Sequence, residues 1–335
     1  MNQTKTGFTK QFLFWPSKNI SLAIPIVLLL GFLTGILTDT SSLKQFILPI
    51  TVLMIYPTMI GFKGKEMFSL SHGKLLVTVM ILNFLLIPAL AYLLGTQFLL
   101  NDPQLFAGLA ITALLPTSNM TIAFTMLSKG NVPASIKMTT IGLLLGSFLA
   151  PWYLYLMVGK YVPVDILTTI KTIALVILIP LILGMLTYNY LMKKYSQEFF
   201  QKEIKPYLPA CSTWGMVLII FISMSMNAQR IASHLDIFVI AFLVQLLFYA
   251  VNYGVAIMIG RKFFAEKDSL TLVFSTVLRN LSISIGLAAT AFGSNAALTV
   301  SLAFLIQGQA AAGFIKLNEK YRLLTPKKKN LLQAN

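Results

Sequence analysis

The chain has 335 residues, of which 57% are hydrophobic and only 11% charged, and its mean hydropathy is +0.80. That profile excludes a soluble domain, in which about a quarter of the residues are charged. The net charge of +16 would suit nucleic acid, but the basic residues fall on alternate loops between apolar runs, so membrane topology accounts for them.

A spanning helix needs about 20 mainly apolar residues. In chain order such runs are predicted at 20–38, 45–62, 75–95, 104–128, 135–158, 166–190, 208–226, 236–259, 270–291 and 297–315. The fold class read from them is an all-α polytopic membrane protein with ten transmembrane helices. The first run lacks a small-residue cleavage site and is followed closely by a second, so it is read as part of the mature fold. With the N-terminus in the cytoplasm, the inside segments hold 21 of the 26 Lys and Arg residues, and the outside segments only Lys44, Lys160 and Arg230. Both termini are therefore expected on the cytoplasmic side of a cell (plasma) membrane, with 316–335 as a basic cytoplasmic tail. Lys171, near the outer start of the sixth run, is read as an anchor whose stem returns its charge to the interface.

Five runs in each half would set two five-helix units, 20–158 and 166–315, in opposite orientations as inverted repeats. The fourth run contains Ser118-Asn119-Met120-Thr121-Ile122 and the ninth Arg279-Asn280-Leu281-Ser282-Ile283, the same polar, Asn, apolar, hydroxyl, Ile pattern 161 residues apart. Both are interrupted at membrane depth. Pro116 donates no backbone hydrogen bond and is followed by Thr117, Ser118 and Asn119, while Ser275, Thr276, Arg279, Asn280 and Ser282 break the ninth run. Irregular backbone at that depth is tolerated where it is buried in protein or lines a wet cavity, as at transporter binding sites.

All ten acidic residues fall in loops or at the ends of runs, so Arg279 has no acidic partner. A guanidinium at that depth is compensated by carbonyls, a half-helix C-terminus, water or a bound anion, and its planar fork suits a carboxylate or oxyanion. Two roles follow, an anion ligand or a tether capping unwound carbonyls of the fourth helix. The candidate substrate-binding set is Thr117, Ser118, Asn119, Thr121, Ser275, Thr276, Arg279 and Asn280. Asn83, Tyr56, Thr139, Gln245, Asn252, Gln307 and Gln309 are further polar residues at depth, read one by one as links between helices. Cys211 is the single cysteine, which excludes an intramolecular disulfide, and His72 and His234 lie in loops. With no buried carboxylate pair, membrane histidine or cluster of metal ligands, neither an enzyme nor a metal or cofactor site is expected.

On the Ile55-Tyr56-Pro57 stretch with Phe62-Lys63 and Glu66, the segment from Pro116 through Lys129-Gly130-Asn131-Val132, and Arg279-Asn280-Leu281-Ser282, the chain resembles the bile acid:sodium symporter superfamily. The likeness, which extends to arsenite efflux permeases of the same superfamily, covers nearly the full length. It implies ten helices in two inverted repeats, a panel domain (20–62 and 166–226), and a core domain (75–158 and 236–315) whose broken fourth and ninth helices cross at the midplane. It also implies sodium sites, whose remnants would be Thr121, Ser135, Thr139 and Ser275. The superfamily pattern has Asn at the position of Ile122, and Glu and Gln at those of Ser275 and Arg279. These departures count against Na+ as coupling ion and suggest Arg279 as its substitute. The arsenite permeases carry a reactive Cys where Thr117 stands.

The function expected is secondary active transport by alternating access of an organic or other small anion, with the lipid bilayer as the other partner and no nucleic acid. Oligomeric state is left open. An arsenite or antimonite efflux permease is the alternative, and an anion channel the alternative from another class.

Overall fold

The computed structural model describes residues 11–61, 72–162 and 166–324. Phe62, Lys63, Glu66 and the tail beyond 324 lie outside the described residues. Among the described residues the chain is helical with no named strand.

The helices are α1 (Gln11–Lys18), α2 (Ile20–Leu37), α3 (Ile47–Met59), α4 (Gly73–Phe98), α5 (Pro103–Leu114), α6 (Asn119–Leu127) and α7 (Val132–Val158). They continue as α8 (Ile170–Lys194), α9 (Tyr207–Ser233), α10 (Leu235–Phe263), α11 (Glu266–Val277), α12 (Leu281–Ala291) and α13 (Ser294–Tyr321). Among the described residues seven helices are long and apolar enough to cross a membrane, α3 being counted with the 3-10 turn Ser41–Phe46 before it, or eight if the bent pair α1 and α2 is one span. The remaining four, α5, α6, α11 and α12, are short because two of the expected runs, 104–128 and 270–291, are each divided by a break.

Several helices outrun their apolar stretches. α13 continues to Tyr321, so the tail expected from residue 316 begins six residues later than the hydropathy suggests. Lys320, in the last turn, complements the negative C-terminal end of the helix dipole. Arg322 (φ 48°) closes the helix in the left-handed region, and Asn318 Oδ1 accepts from Leu324 N at 3.1 Å.

Prolines inside spans set local register. Pro88 has no N–H for the carbonyl of Phe84, four residues earlier, and the chain answers with a π-turn over Leu82–Leu86. The freed Phe84 carbonyl accepts the hydroxyl of Tyr153 from α7. Pro180 sits likewise behind a π-turn at Ala174–Leu178.

Small residues allow close helix approach. A Cβ at Gly35 of α2 would lie 2.0 Å from the carbonyl oxygen of Ser225 in α9, and one at Gly108 of α5 would lie 2.3 Å from that of Ala296 in α13. Around these contacts α9 packs on α2 and α3, and α3 on α8, while α4 to α7 and α10 to α13 surround the two breaks.

Candidate functional site

The two interruptions meet. Pro116 and Arg279 form an antiparallel bridge, with Thr117 N donating to Leu278 O (3.0 Å) and Asn280 N to Leu115 O (2.9 Å). Each break thus supplies the hydrogen-bond partners that the other lost on leaving its helix, as backbone at membrane depth requires. The second edge of Arg279 is closed by Gln307 of α13, whose Oε1 accepts from Arg279 N (2.7 Å) and whose Nε2 donates to Arg279 O (3.1 Å). Tyr249 Oη also donates to that Oε1, at 2.9 Å.

Thr117 turns the chain with φ 62°, an uncommon conformation for a β-branched residue. Its hydroxyl donates to Pro116 O at 2.7 Å. Ser118 then caps α6, its Oγ accepting from Met120 N (3.2 Å) while its own N–H donates to Thr121 Oγ1 (3.1 Å). On the other side Asn280 caps α12, its Oδ1 accepting from Ile283 N at 3.3 Å. Both half-helices therefore begin at the crossing, with their positive ends there.

Arg279 is fully buried. Its Nε donates to Thr112 O (3.3 Å), its Nη1 to Asn83 Oδ1 (2.6 Å) and Thr276 O (2.8 Å), and its Nη2 to Ala113 O. Asn83 lies within the π-turn of α4, and its Nδ2 donates to Ser275 O at 2.9 Å. The ion pairs among the described residues, Lys202–Glu198 and Arg230–Asp102, leave Arg279 without a carboxylate.

The predicted set is thus brought together, in different settings. Ser118 and Asn280 are partly exposed at the caps. Thr117, Thr121, Ser275 and Thr276 are buried, and Thr276 Oγ1 is spent on Leu272 O and Val273 O of its own helix. Asn119 opens α6, and its side chain is not among those described. Of the proposed ion-site remnants, Ser135 Oγ accepts from Thr125 Oγ1 (3.3 Å), while Thr139 Oγ1 and Ser275 Oγ are buried without partners. Asn83 and Gln307 belong to the crossing although only their polarity at depth marked them in sequence. Gln309 is exposed and takes no part in it.

The two sides of the crossing differ. α12 packs on α3, α8 and α9, whereas α6 packs on α7 and α11 and leaves Ala123, Met126 and Leu127 exposed. Beyond the buried end of α12, Asp102 at the start of α5 pairs with Arg230 of α9 beside a cavity of about 20 Å³ that Asn227, His234 and Asn295 also line. At the opposite end Asn131 ties the α6–α7 turn to α11, its N–H donating to Thr271 Oγ1 and its Nδ2 to Asp268 Oδ1, both at 2.8 Å.

The family model described as Sodium Bile acid symporter family matches residues 48–234. The protein YbaS of Bacillus subtilis, named as uncharacterized, is 25% identical over 259 residues, covering 76% of this chain and 82% of its own. PA2026 of Pseudomonas aeruginosa, also named as uncharacterized, is 25% identical over 237 residues, 68% of each chain. A chloroplastic protein of Arabidopsis thaliana named a probable sodium/metabolite cotransporter, BASS5, is 29% identical over 155 residues, 45% of this chain and 37% of its own.

Proposed function

Because the chain belongs to the sodium bile acid symporter family, we propose that it is a secondary transporter carrying a small organic anion by alternating access at the α5/α6 and α11/α12 breaks. The observation that carries this reading is the antiparallel pairing of the breaks at Pro116 and Arg279, which starts two half-helices at one buried point. Counting each broken pair as one span gives ten, in two inverted repeats over 20–158 and 166–315. In this reading α2, α3, α8 and α9 form a panel against which the other helices rock, and both termini face the cytoplasm of a plasma membrane.

Charge argues for the anion. The crossing holds one buried guanidinium, two helix N-termini offset by two helix C-termini, and no carboxylate among its described neighbours, so the net charge is positive. The solute is held at the partly exposed caps Ser118 and Asn280, with Thr117, Asn119, Thr121, Ser275 and Thr276 behind them. Arg279 acts there through its charge and by holding the breaks together. The relative named as a sodium/metabolite cotransporter supports a metabolite as the class of solute.

Counterflow in proteoliposomes tests the proposal, with external labelled organic anions accumulating against an internal pool of the same compound. Accumulation that Ser118→Ala with Asn280→Ala abolishes supports it. Currents without counterflow would establish a channel instead, and arsenite as the only counterflow substrate would establish the efflux permease.

A further inference from the structure

The family's name implies a sodium ion, so the oxygens at the crossing are to be measured against one. The last carbonyls of α5 (Thr112 and Ala113) and of α11 (Thr276) converge with Asn83 Oδ1 on a single point. Two half-helix C-termini carry partial negative charge there, which makes the point a cation site by its backbone alone. It is filled from within, by the guanidinium of Arg279, and a second cation beside that fixed charge would be repelled. The other polar set fits no better. Thr121 Oγ1 is committed to Ser118 N and Ser135 Oγ to Thr125, which leaves Thr139 Oγ1 and Ser275 Oγ as its two partnerless hydroxyls, fewer oxygens than a sodium ion needs, and the set has no carboxylate.

We infer that Arg279 is a tethered cation, standing where a coupling ion would bind between the two half-helix C-termini, so that this chain moves its solute without sodium at that position. The inference rests on the crossing being the transport centre. A tethered charge cannot leave with the solute, so an ion gradient can do no work through this position. The solute's own gradient and, for an anion, the membrane potential are then the forces available.

The experiment compares purified wild type, Arg279→Ala and Arg279→Lys by thermal unfolding without solute, in sodium, potassium or choline chloride of equal ionic strength and with added methylguanidinium. The wild type is expected to unfold at one temperature in all three salts. Arg279→Ala uncovers the oxygens and should show a saturable stabilisation by sodium or methylguanidinium. At about a hundredfold above Kd, the folded to unfolded ratio rises about a hundredfold. Arg279→Lys, which keeps the charge and loses the fork, should be less stable than wild type and indifferent to sodium.

Saturable stabilisation of the wild type by sodium overturns the inference, as does a monodisperse Arg279→Ala that answers to no cation. Should the alanine variant fail to fold, sodium stabilisation of the lysine variant overturns it and indifference supports it. Because no solute is present, failure here is distinct from failure of the transport reading, which counterflow decides. Counterflow by the wild type that requires sodium would keep the transporter and sink the tether.

Discussion

Asp102→Asn removes one charge from the pair that joins the start of α5 to α9, and thus the break-bearing helices to the group that would form the panel. The Asp102 side chain is 6% exposed and that of Arg230 44%, so the pair is neither a surface contact nor fully buried. Exposed pairs contribute about 0.2–1 kcal/mol and charge-assisted hydrogen bonds about 1.5–3 kcal/mol, which brackets this one near 1–2 kcal/mol. If the two groups separate here during transport, the whole of that energy favours the closed form, and losing it shifts the closed-to-open ratio by about 5- to 30-fold. The assay is the rate at which a membrane-impermeant thiol reagent labels Asn295→Cys, which lines the cavity beside the pair. Cys211 is exposed and is first replaced by serine. Labelling should accelerate in Asp102→Asn by the factor above, and raising the salt concentration should narrow the difference by screening the exposed arginine in the parent. An unchanged rate in a variant that unfolds at the parent's temperature would refute the idea that the pair holds this face shut.

Three further outcomes are expected. If each monovalent anion crosses alone, uptake carries negative charge inward in sodium-free medium. An inside-negative potential of 100 mV is worth about 2.3 kcal/mol per charge and favours efflux by about 50-fold at equilibrium, which solid-supported-membrane currents test by their sign. Gly286→Ala would place a Cβ 2.4 Å from Thr51 Cγ2 in α3 and should destabilise by about 1–3 kcal/mol through overpacking. Adding Thr51→Ala, which removes a buried hydroxyl without a partner, should restore stability in a double-mutant cycle of unfolding midpoints. Thr117→Gly relieves a left-handed conformation worth about 1–2 kcal/mol but loses the hydroxyl bond to Pro116 O, so stability should change by less than about 1 kcal/mol while counterflow falls.

Both breaks were legible in the sequence because their causes are side chains: a proline at 116, and hydroxyls, an amide and a guanidinium from 275 to 282 in a run otherwise apolar. The span-dividing gaps fall between Leu114 and Asn119 and between Val277 and Leu281, within those stretches. The resemblance implies that the breaks cross, but that Pro116 and Arg279 pair by their backbones is not legible, since the bonds between them are main-chain groups and every residue but proline offers the same ones. The π-turn that includes Asn83 depends on Pro88, five positions away, and hydropathy is blind to it. Helix ends were misjudged for a related reason. α13 outlasts its apolar run because capping and dipole terms, and not hydrophobicity, decide where a helix stops.

The same distinction governs how Arg279 can act on an anion. In sequence, an arginine at membrane depth without a carboxylate admits two roles, a ligand for an anionic solute or a tether capping carbonyls of the fourth helix. The carbonyls of Thr112, Ala113 and Thr276 and the amide of Asn83 take four of its five N–H donors instead, so most of the planar fork that made it an attractive ligand is already engaged. Hydrogen bonding to neutral dipoles spreads a charge without cancelling it. The two helix N-termini and two C-termini that meet there largely offset one another, so a net positive charge persists at the crossing and acts through a low-dielectric medium in which Coulomb interactions are strong. An anion drawn by that field would come to rest where the surface is open, at Ser118 and Asn280, one residue or two from the pinned bridge. Substituting Ser118 should therefore alter which anion is chosen, whereas substituting Arg279 should alter whether any anion is held.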